Sequence, residues 1–200
     1  ADWVTTVSPT YAEEICHAPG GLGLEGLLSH RRDHLVGILN GIDESVWNPA
    51  TDPLLVENYS VDNLAGKLAN KRALQAELGL QCSDEVPLFG FVGRLAEQKG
   101  LDLLLPLLEA LLQTPAQLVV LGTGDPRLER ALRDLAALHK GSVVVILAYN
   151  ETMAHRIEAA ADVFLMPSLF EPCGLNQMFS LIYGTVPIVP EVGGLADSVV

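Results

Sequence analysis

The chain has 200 residues, 49% of them hydrophobic and 18% charged, with 18 Gly and 12 Pro, a composition that excludes a disordered tail, a collagen-like repeat and a mucin-like stalk. Twelve Lys and Arg against 25 Asp and Glu leave a net charge of −13, so the overall field repels nucleic acid and anionic lipid, and any bound anion needs a local device. No apolar run is long enough to span a membrane or reads as a signal peptide, and Cys16, Cys82 and Cys173 lie far apart with no C-x-x-C pair, which argues against a disulfide framework or structural zinc and for a reducing compartment.

In chain order, residues 3–7 read as a short strand, and Ser8-Pro9 supplies an N-cap and a first helical residue for a helix over 10–16. Residues 35–39 form a second strand closed by Asn40-Gly41. Residues 43–53, punctuated by Asn48-Pro49 and Asp52-Pro53, are a turn-rich link. Helical pieces follow at 61–69 and 71–78. From Leu88 one phrase repeats: an apolar β-rich run, a turn, then a segment of helical period. The runs are 88–92, 118–121, 143–147, 163–166 and 186–189; the helical segments between them are 101–112, 126–139, 152–161 and 173–183. This alternation predicts a doubly wound α/β domain with a parallel sheet, right-handed crossovers and the order 3-2-1-4-5 for these five strands. The chain starts on Ala and ends just after a Gly-Gly turn, so it reads as cut at both ends, with a further strand or helix expected beyond Val200.

In an open α/β sheet, ligands lie beyond the carboxyl ends of the strands where the strand order reverses. The first of the five strands is followed there by Gly93-Arg94 and then Lys99-Gly100, and the second by Gly122-Thr123-Gly124-Asp125. Tyr149-Asn150 follows the third, Pro167-Ser168 and Phe170 to Asn176 the fourth, and Gly193-Gly194 the last. Strands one and four are neighbours at the switch point, so Arg94 and Lys99 are expected to face Glu171. Pro172 suits a first helical turn, and Gly174 allows close backbone approach, leaving N–H groups near Gly174 and Leu175 for an anion. The set makes a diphosphate site in which cations, rather than a metal, neutralise the leaving group: there is no D-x-D pair and no His or carboxylate cluster with metal-ligand spacing. Loss of either cation is expected to cost roughly 3 kcal/mol in the transition state.

Singly, each residue has an ordinary structural role. An Arg or Lys after a strand is commonly a solvated charge, and a Glu at a helix start gains from the helix dipole. Gly122-Thr123-Gly124 lacks the third glycine of a dinucleotide fingerprint and reads as a turn. His155 reads as a packed or surface residue rather than a ligand, and Cys173 as a small buried one. Co-location at strand ends carries the functional reading.

The string Phe170-Glu171-Pro172-Cys173-Gly174-Leu175-Asn176-Gln177 adds a resemblance. Together with Gly93-Arg94-Leu95, Gln98-Lys99-Gly100, Asn40-Gly41-Ile42-Asp43, Trp47-Asn48-Pro49, Thr51-Asp52, Ser8-Pro9-Thr10-Tyr11, Gly184-Thr185 and Gly193-Gly194-Leu195 with Asp197, it resembles the bacterial glycogen synthase and plant starch synthase family, over effectively the whole chain. The resemblance implies a GT-B glycosyltransferase that moves glucose from ADP-glucose to the non-reducing end of an α-1,4-glucan with retention. With the charge, the lack of an apolar span and the missing metal-ligand spacing, no cofactor or metal and no nucleic-acid or membrane partner is expected, and the resemblance implies a location in the bacterial cytoplasm or the plastid stroma. Residues 1–41 then correspond to the end of the acceptor-side domain and the interdomain link, and 42–200 to a truncated Rossmann-like nucleotide-sugar domain. By resemblance, Arg94 and Lys99 match the diphosphate clamp, and Glu171 matches the acidic residue beside the transferred glucose. It acts there either as a stabiliser of oxocarbenium-like charge or as a transient nucleophile. Leu175 and Asn176 fall beside the distal phosphate and sugar, Tyr149 near the adenine and Asn40 near the sugar; Gly122, Cys173, Gly174, Gly193 and Gly194 complete the expected donor site.

Leu169, Ile182, Pro190 and Val192 depart from residues that relatives often carry, and are expected to weaken donor binding or shift its preference. Gly20-Gly21-Leu22-Gly23 imitates the family's donor loop but falls in a linker segment. With half of the cleft missing, these residues alone are expected to lack synthase activity. A UDP-glucose-dependent relative and a non-catalytic nucleotide- or glucan-binding paralogue are the alternative readings.

Overall fold

A computed structural model describes residues 1–199. Its first part is a small parallel pair of strands, β1 (Val4–Thr6) and β2 (Leu35–Gly37), with helices α1 (Pro9–Glu14) and α2 (Glu25–His30) between them. After the turn-rich link comes α3 (Ala65–Leu78). Then follow β3 (Leu88–Val92), α4 (Leu101–Leu111), β4 (Gln117–Leu121), α5 (Pro126–Leu138), β5 (Val143–Ile146), α6 (Glu151–Ala160), β6 (Val163–Leu165), α7 (Asn176–Ile182), β7 (Val186–Ile188) and α8 (Gly193–Ser198).

The five later strands form one sheet, ordered β5-β4-β3-β6-β7 and parallel throughout, which is the expected 3-2-1-4-5 order. Alternation along β4 shows why both faces are covered. Val119 and Leu121 pack with Leu74, Met153, Ile157 and Leu195 from α3, α6 and α8; Leu118 and Val120 pack with Leu101, Leu108, Leu128 and Leu132 from α4 and α5. Gly90 lets α6 approach the sheet: a Cβ there would come 2.8 Å from Ile157 Cγ2. Pro187 stands in β7, at the sheet edge, where a missing N–H is tolerated.

Two helices differ from the sequence reading. The pieces 61–69 and 71–78 are a single helix, α3, that starts at Ala65. Asn70, a weak helix former, is kept inside it because its buried amide accepts from Val56 N at 3.0 Å and donates to the Gly66 carbonyl at 2.8 Å. Gly79, left-handed at φ 68°, ends the helix. The helix expected from Cys173 begins only at Asn176, because Gly174 at φ 72° interrupts helical geometry. Pro172 therefore lies in a loop and not in a first helical turn. Gly193-Gly194, expected as a turn, open α8.

The first part is tied to the sheet domain through α1 and α8. Asp197 accepts from Ser8 Oγ at 2.5 Å, Thr10 Oγ1 at 2.6 Å and Thr10 N at 2.9 Å, and Glu14 accepts from Gly193 N at 2.8 Å. Burial raises the Asp197 carboxyl, but the Ser8 and Thr10 hydrogen bonds outweigh it and hold its pKa below the usual range.

Between α6 and α7, Glu158 is 1% exposed, and its Oε2 accepts from Ser180 Oγ at 2.8 Å. Burial pushes its carboxyl up from 4.5 to about 8, opposed by the Ser180 hydrogen bond and the Lys67 charge. The folded chain thus keeps a proton that the unfolded chain releases, so this stabilisation is present below pH 4.5 and is lost as the pH rises towards 8. By neutral pH the loss is on the order of 3 kcal/mol. Lys67, lowered to about 8 chiefly by its own desolvation, titrates with the opposite sign above that window. Urea unfolding at about pH 5 and about pH 7.5 is expected to show a stability drop that Glu158→Gln removes; an undiminished drop in the variant would place its origin elsewhere.

Candidate active site

The loops at the carboxyl ends of β3 and β6 meet as the strand order requires. Lys99 Nζ lies 2.5 Å from Glu171 Oε2, which also accepts from Ser168 Oγ at 3.0 Å. Only a tenth of the Glu171 side chain is exposed, and 22% of that of Lys99. Gln98 fixes the two loops to each other: its Nε2 donates to the Phe170 carbonyl at 3.0 Å, and its own carbonyl accepts from Leu169 N at 2.9 Å. Arg94 is exposed beside them and donates to Gln98 Oε1 at 3.1 Å. Asn176 Nδ2 donates to the Val92 carbonyl at 2.8 Å and ties the start of α7 to the end of β3.

Glycines allow this crowding. A Cβ at Gly100, whose φ is 65°, would collide with the Pro167 carbonyl, and one at Gly122 with the Gly93 carbonyl. Leu95 N donates to the Thr123 carbonyl at 3.0 Å and Asp125 N to the Leu95 carbonyl at 2.7 Å, so Gly122-Thr123-Gly124 is a turn laid against the Arg94 loop.

Two adjoining cavities result. The smaller, about 240 Å³, is lined by Arg94, Lys99, Ser168, Glu171, Gly174 and Leu175, among others. The larger, about 350 Å³, takes in Arg94, Gly122, Tyr149, Asn176, Trp47 and Glu158. Val92, Gly93, Arg94 and Asn176 border both. Among the described residues, the N–H groups of Gly174 and Leu175 find no acceptor, so the smaller cavity offers two cations and free backbone donors beside one carboxylate. That arrangement can hold a diphosphate and place a carboxylate against the group attached to it. No three His, Cys, Asp or Glu side chains among the described residues gather to hold a metal ion. No described helix is long and apolar enough to cross a membrane.

Eight of the twelve residues expected from the sequence line these cavities: Arg94, Lys99, Gly122, Tyr149, Glu171, Gly174, Leu175 and Asn176. The other four stand behind the Glu171 loop. Cys173 is buried and accepts from Asn40 N at 3.5 Å; Gly194 N donates to the Glu171 carbonyl at 3.1 Å, and a Cβ at Gly193 would strike that same carbonyl. Leu169, Ile182, Pro190 and Val192 lie outside both cavities, as do Gly20, Gly21 and Gly23.

Sequence reasoning missed the inner wall of the larger cavity. Trp47, from the turn-rich link, is sandwiched between His155 at 3.7 Å and Phe179 at 3.9 Å, centroid to centroid. The sandwich rests on buried Asp52, whose Oδ2 lies 2.7 Å from His155 Nδ1 and accepts from the Tyr183 hydroxyl at 2.6 Å. Trp47-Asn48-Pro49 and Thr51-Asp52 were visible as a motif, but nothing local tied it to α6 and α7.

The sheet, its order and the cation-carboxylate site at its switch point define a Rossmann-like lobe of the GT-B glycosyltransferase class. A family profile described as glycosyl transferases group 1 matches residues 86–200, and one described as starch synthase catalytic domain matches residues 1–30. The chain belongs to the glycosyl transferase group 1 family, among its glycogen synthase and starch synthase sequences. It is 56% identical to a glycogen synthase of Nitrosospira multiformis and 57% identical to one of Anaeromyxobacter, in each case over its whole length. It spans only 40% and 42% of those relatives. Among solved structures, the catalytic domain of starch synthase IV from Arabidopsis thaliana, bound to ADP and acarbose, superposes with a TM-score of 0.94 at 43% identity, covering all of this chain and 41% of that one. Sucrose-phosphate synthase from Thermosynechococcus elongatus gives 0.64 at 25% identity, covering all of this chain and 43% of that one.

Proposed function

We propose that this chain is the donor-side part of a retaining glucosyltransferase that transfers glucose from ADP-glucose to the non-reducing end of an α-1,4-glucan. The observation that carries the reading is the Lys99–Glu171–Ser168 contact beside Arg94, at the switch point of a sheet that superposes on a starch synthase. Arg94 and Lys99 neutralise the departing diphosphate without a metal, and Glu171 faces the sugar it leaves. Glu171 Oε2 already carries an ammonium and a hydroxyl, which favours a charge-stabilising over a nucleophilic role. Residues 1–41 form the end of the acceptor-side domain and the link; the separate profile matches at 1–30 and 86–200 support that division. The enzyme works in the bacterial cytoplasm or the plastid stroma, according to its source.

Calorimetric titration with ADP, and with UDP for comparison, tests the donor site. ADP is expected to bind more tightly than UDP, with Arg94→Ala weakening ADP at least about tenfold and a chelator leaving its affinity unchanged. Failure of a folded sample to bind ADP would remove this reading. UDP binding of equal strength would move the donor to another nucleotide sugar.

A further inference from the structure

The larger cavity holds a polar group that neither the cationic clamp nor Glu171 uses. Glu151, Ala154 and Glu158 lie three and four residues apart on α6 and all line the cavity, so one face of that helix forms its wall. Of the two carboxyl oxygens of Glu158, Oε2 is taken by Ser180. The other has no hydrogen-bond partner among the described residues, yet it is not sealed in the interior as His155 Nε2 and Gln177 Oε1 are. Trp47, Ala154 and Phe179 line the same cavity. A carboxyl group set into so apolar a wall costs free energy unless something bonds to it, and a purely structural role would close both oxygens within the protein.

Position selects the ligand group. A molecule whose diphosphate lies between Arg94 and Lys99 reaches the larger cavity past Val92, Gly93 and Asn176, which border both spaces. At the mouth Tyr149 is 93% exposed, its ring free for a base to stack on. Between diphosphate and base lies the ribose. Phosphate oxygens only accept hydrogen bonds, whereas a ribose hydroxyl both donates and accepts and so pairs with this carboxyl in either protonation state. Resting on the nucleotide-sugar reading above, we infer that Glu158 is a specificity-determining residue: its cavity-facing oxygen hydrogen-bonds to the ribose hydroxyls, Ser180 orients it, and the site selects ribonucleotides over their deoxy forms.

ADP, 2′,3′-dideoxy-ADP and inorganic pyrophosphate, titrated by calorimetry into the native chain, E158L and E158Q, test this. The native chain is expected to prefer ADP to its dideoxy form about tenfold. E158L is expected to bind both at the dideoxy level while keeping its affinity for pyrophosphate; E158Q, which keeps an acceptor in place, stays within a few-fold of native. With Trp3→Phe, Trp47 is the sole indole of the chain, and its fluorescence is expected to respond to ADP and not to pyrophosphate. If E158L does not fold, Ser180→Ala, which frees the carboxyl from its anchor, is expected to show the same loss of preference. An unchanged preference in folded E158L, or no preference in the native chain, overturns the inference. Binding of ADP that Arg94→Ala abolishes, with no ribose preference, overturns this assignment alone; a native chain that binds neither ADP nor pyrophosphate overturns the nucleotide-sugar reading as well.

Discussion

Glu171→Ala, in a protein of the relatives' full length that carries this segment, is expected to slow glucose transfer on the order of a thousandfold while leaving ADP affinity within a few-fold. The separation follows from the proposed donor site: Glu171 meets Lys99 and Ser168 and, on that reading, faces the group attached to the diphosphate, whereas Arg94 and the Gly174-Leu175 backbone in the same cavity would remain to hold the phosphates. An interaction made chiefly in the transition state lowers kcat; one made equally with the bound ground state raises KM. Initial rates of glucose incorporation beside calorimetric ADP affinity measure the two effects independently. Equal losses in both would mean that Glu171 only props up the phosphate site through Lys99.

Asp52→Ala is expected to destabilise the fold by about 3–5 kcal/mol, the cost of leaving buried partners of a carboxylate unpaired. Three groups lose their acceptor at once: His155 Nδ1, the Tyr183 hydroxyl and Leu54 N, the last at 2.9 Å from Oδ1. All lie where Trp47 is clamped, so the inner wall of the larger cavity loosens along with the fold. Asp52→Asn keeps one oxygen acceptor in place and is expected to cost less than half as much. Urea unfolding of the two variants measures the difference, and a loss below about 1 kcal/mol for Asp52→Ala would show that the cluster does not support the fold as a unit.

The sheet was legible because each strand is a short apolar run bounded by turn residues, and the alternation with helical segments leaves few topologies. Arg94, Lys99 and Glu171 were legible for the same reason: strand ends at a switch point converge whatever the side chains are. The start of α7 was not, because Cys173 and Leu175 fit a helical pattern and only the positive φ of Gly174 excludes it. Nor was the wall made by Trp47 and Glu158. Residues 43–53 look like a linker in composition, yet they contribute a buried carboxylate and a stacked indole through contacts about a hundred positions away, which no local period encodes. The unity of α3 hid for a related reason, since Asn70 breaks a helix by propensity and is retained by bonds to a distant loop.

The contact between Lys99 and Glu171 changes what arrival of an anion at this site means. The ammonium already has a counter-charge, so a diphosphate that reaches it does not fill a bare electropositive hollow; it competes with a carboxylate for the same proton donors. Association is then an exchange of partners, and its free energy is the difference between two ion pairs rather than the whole of one. Because the lysine is neutralised before and after, few small counterions leave the Lys99 position, and binding there tolerates salt better than capture by an unpaired surface lysine. On the proposed donor reading, the same exchange would take the ammonium from Glu171 once the diphosphate is in place, leaving its negative charge uncompensated only when there is a substrate to act on.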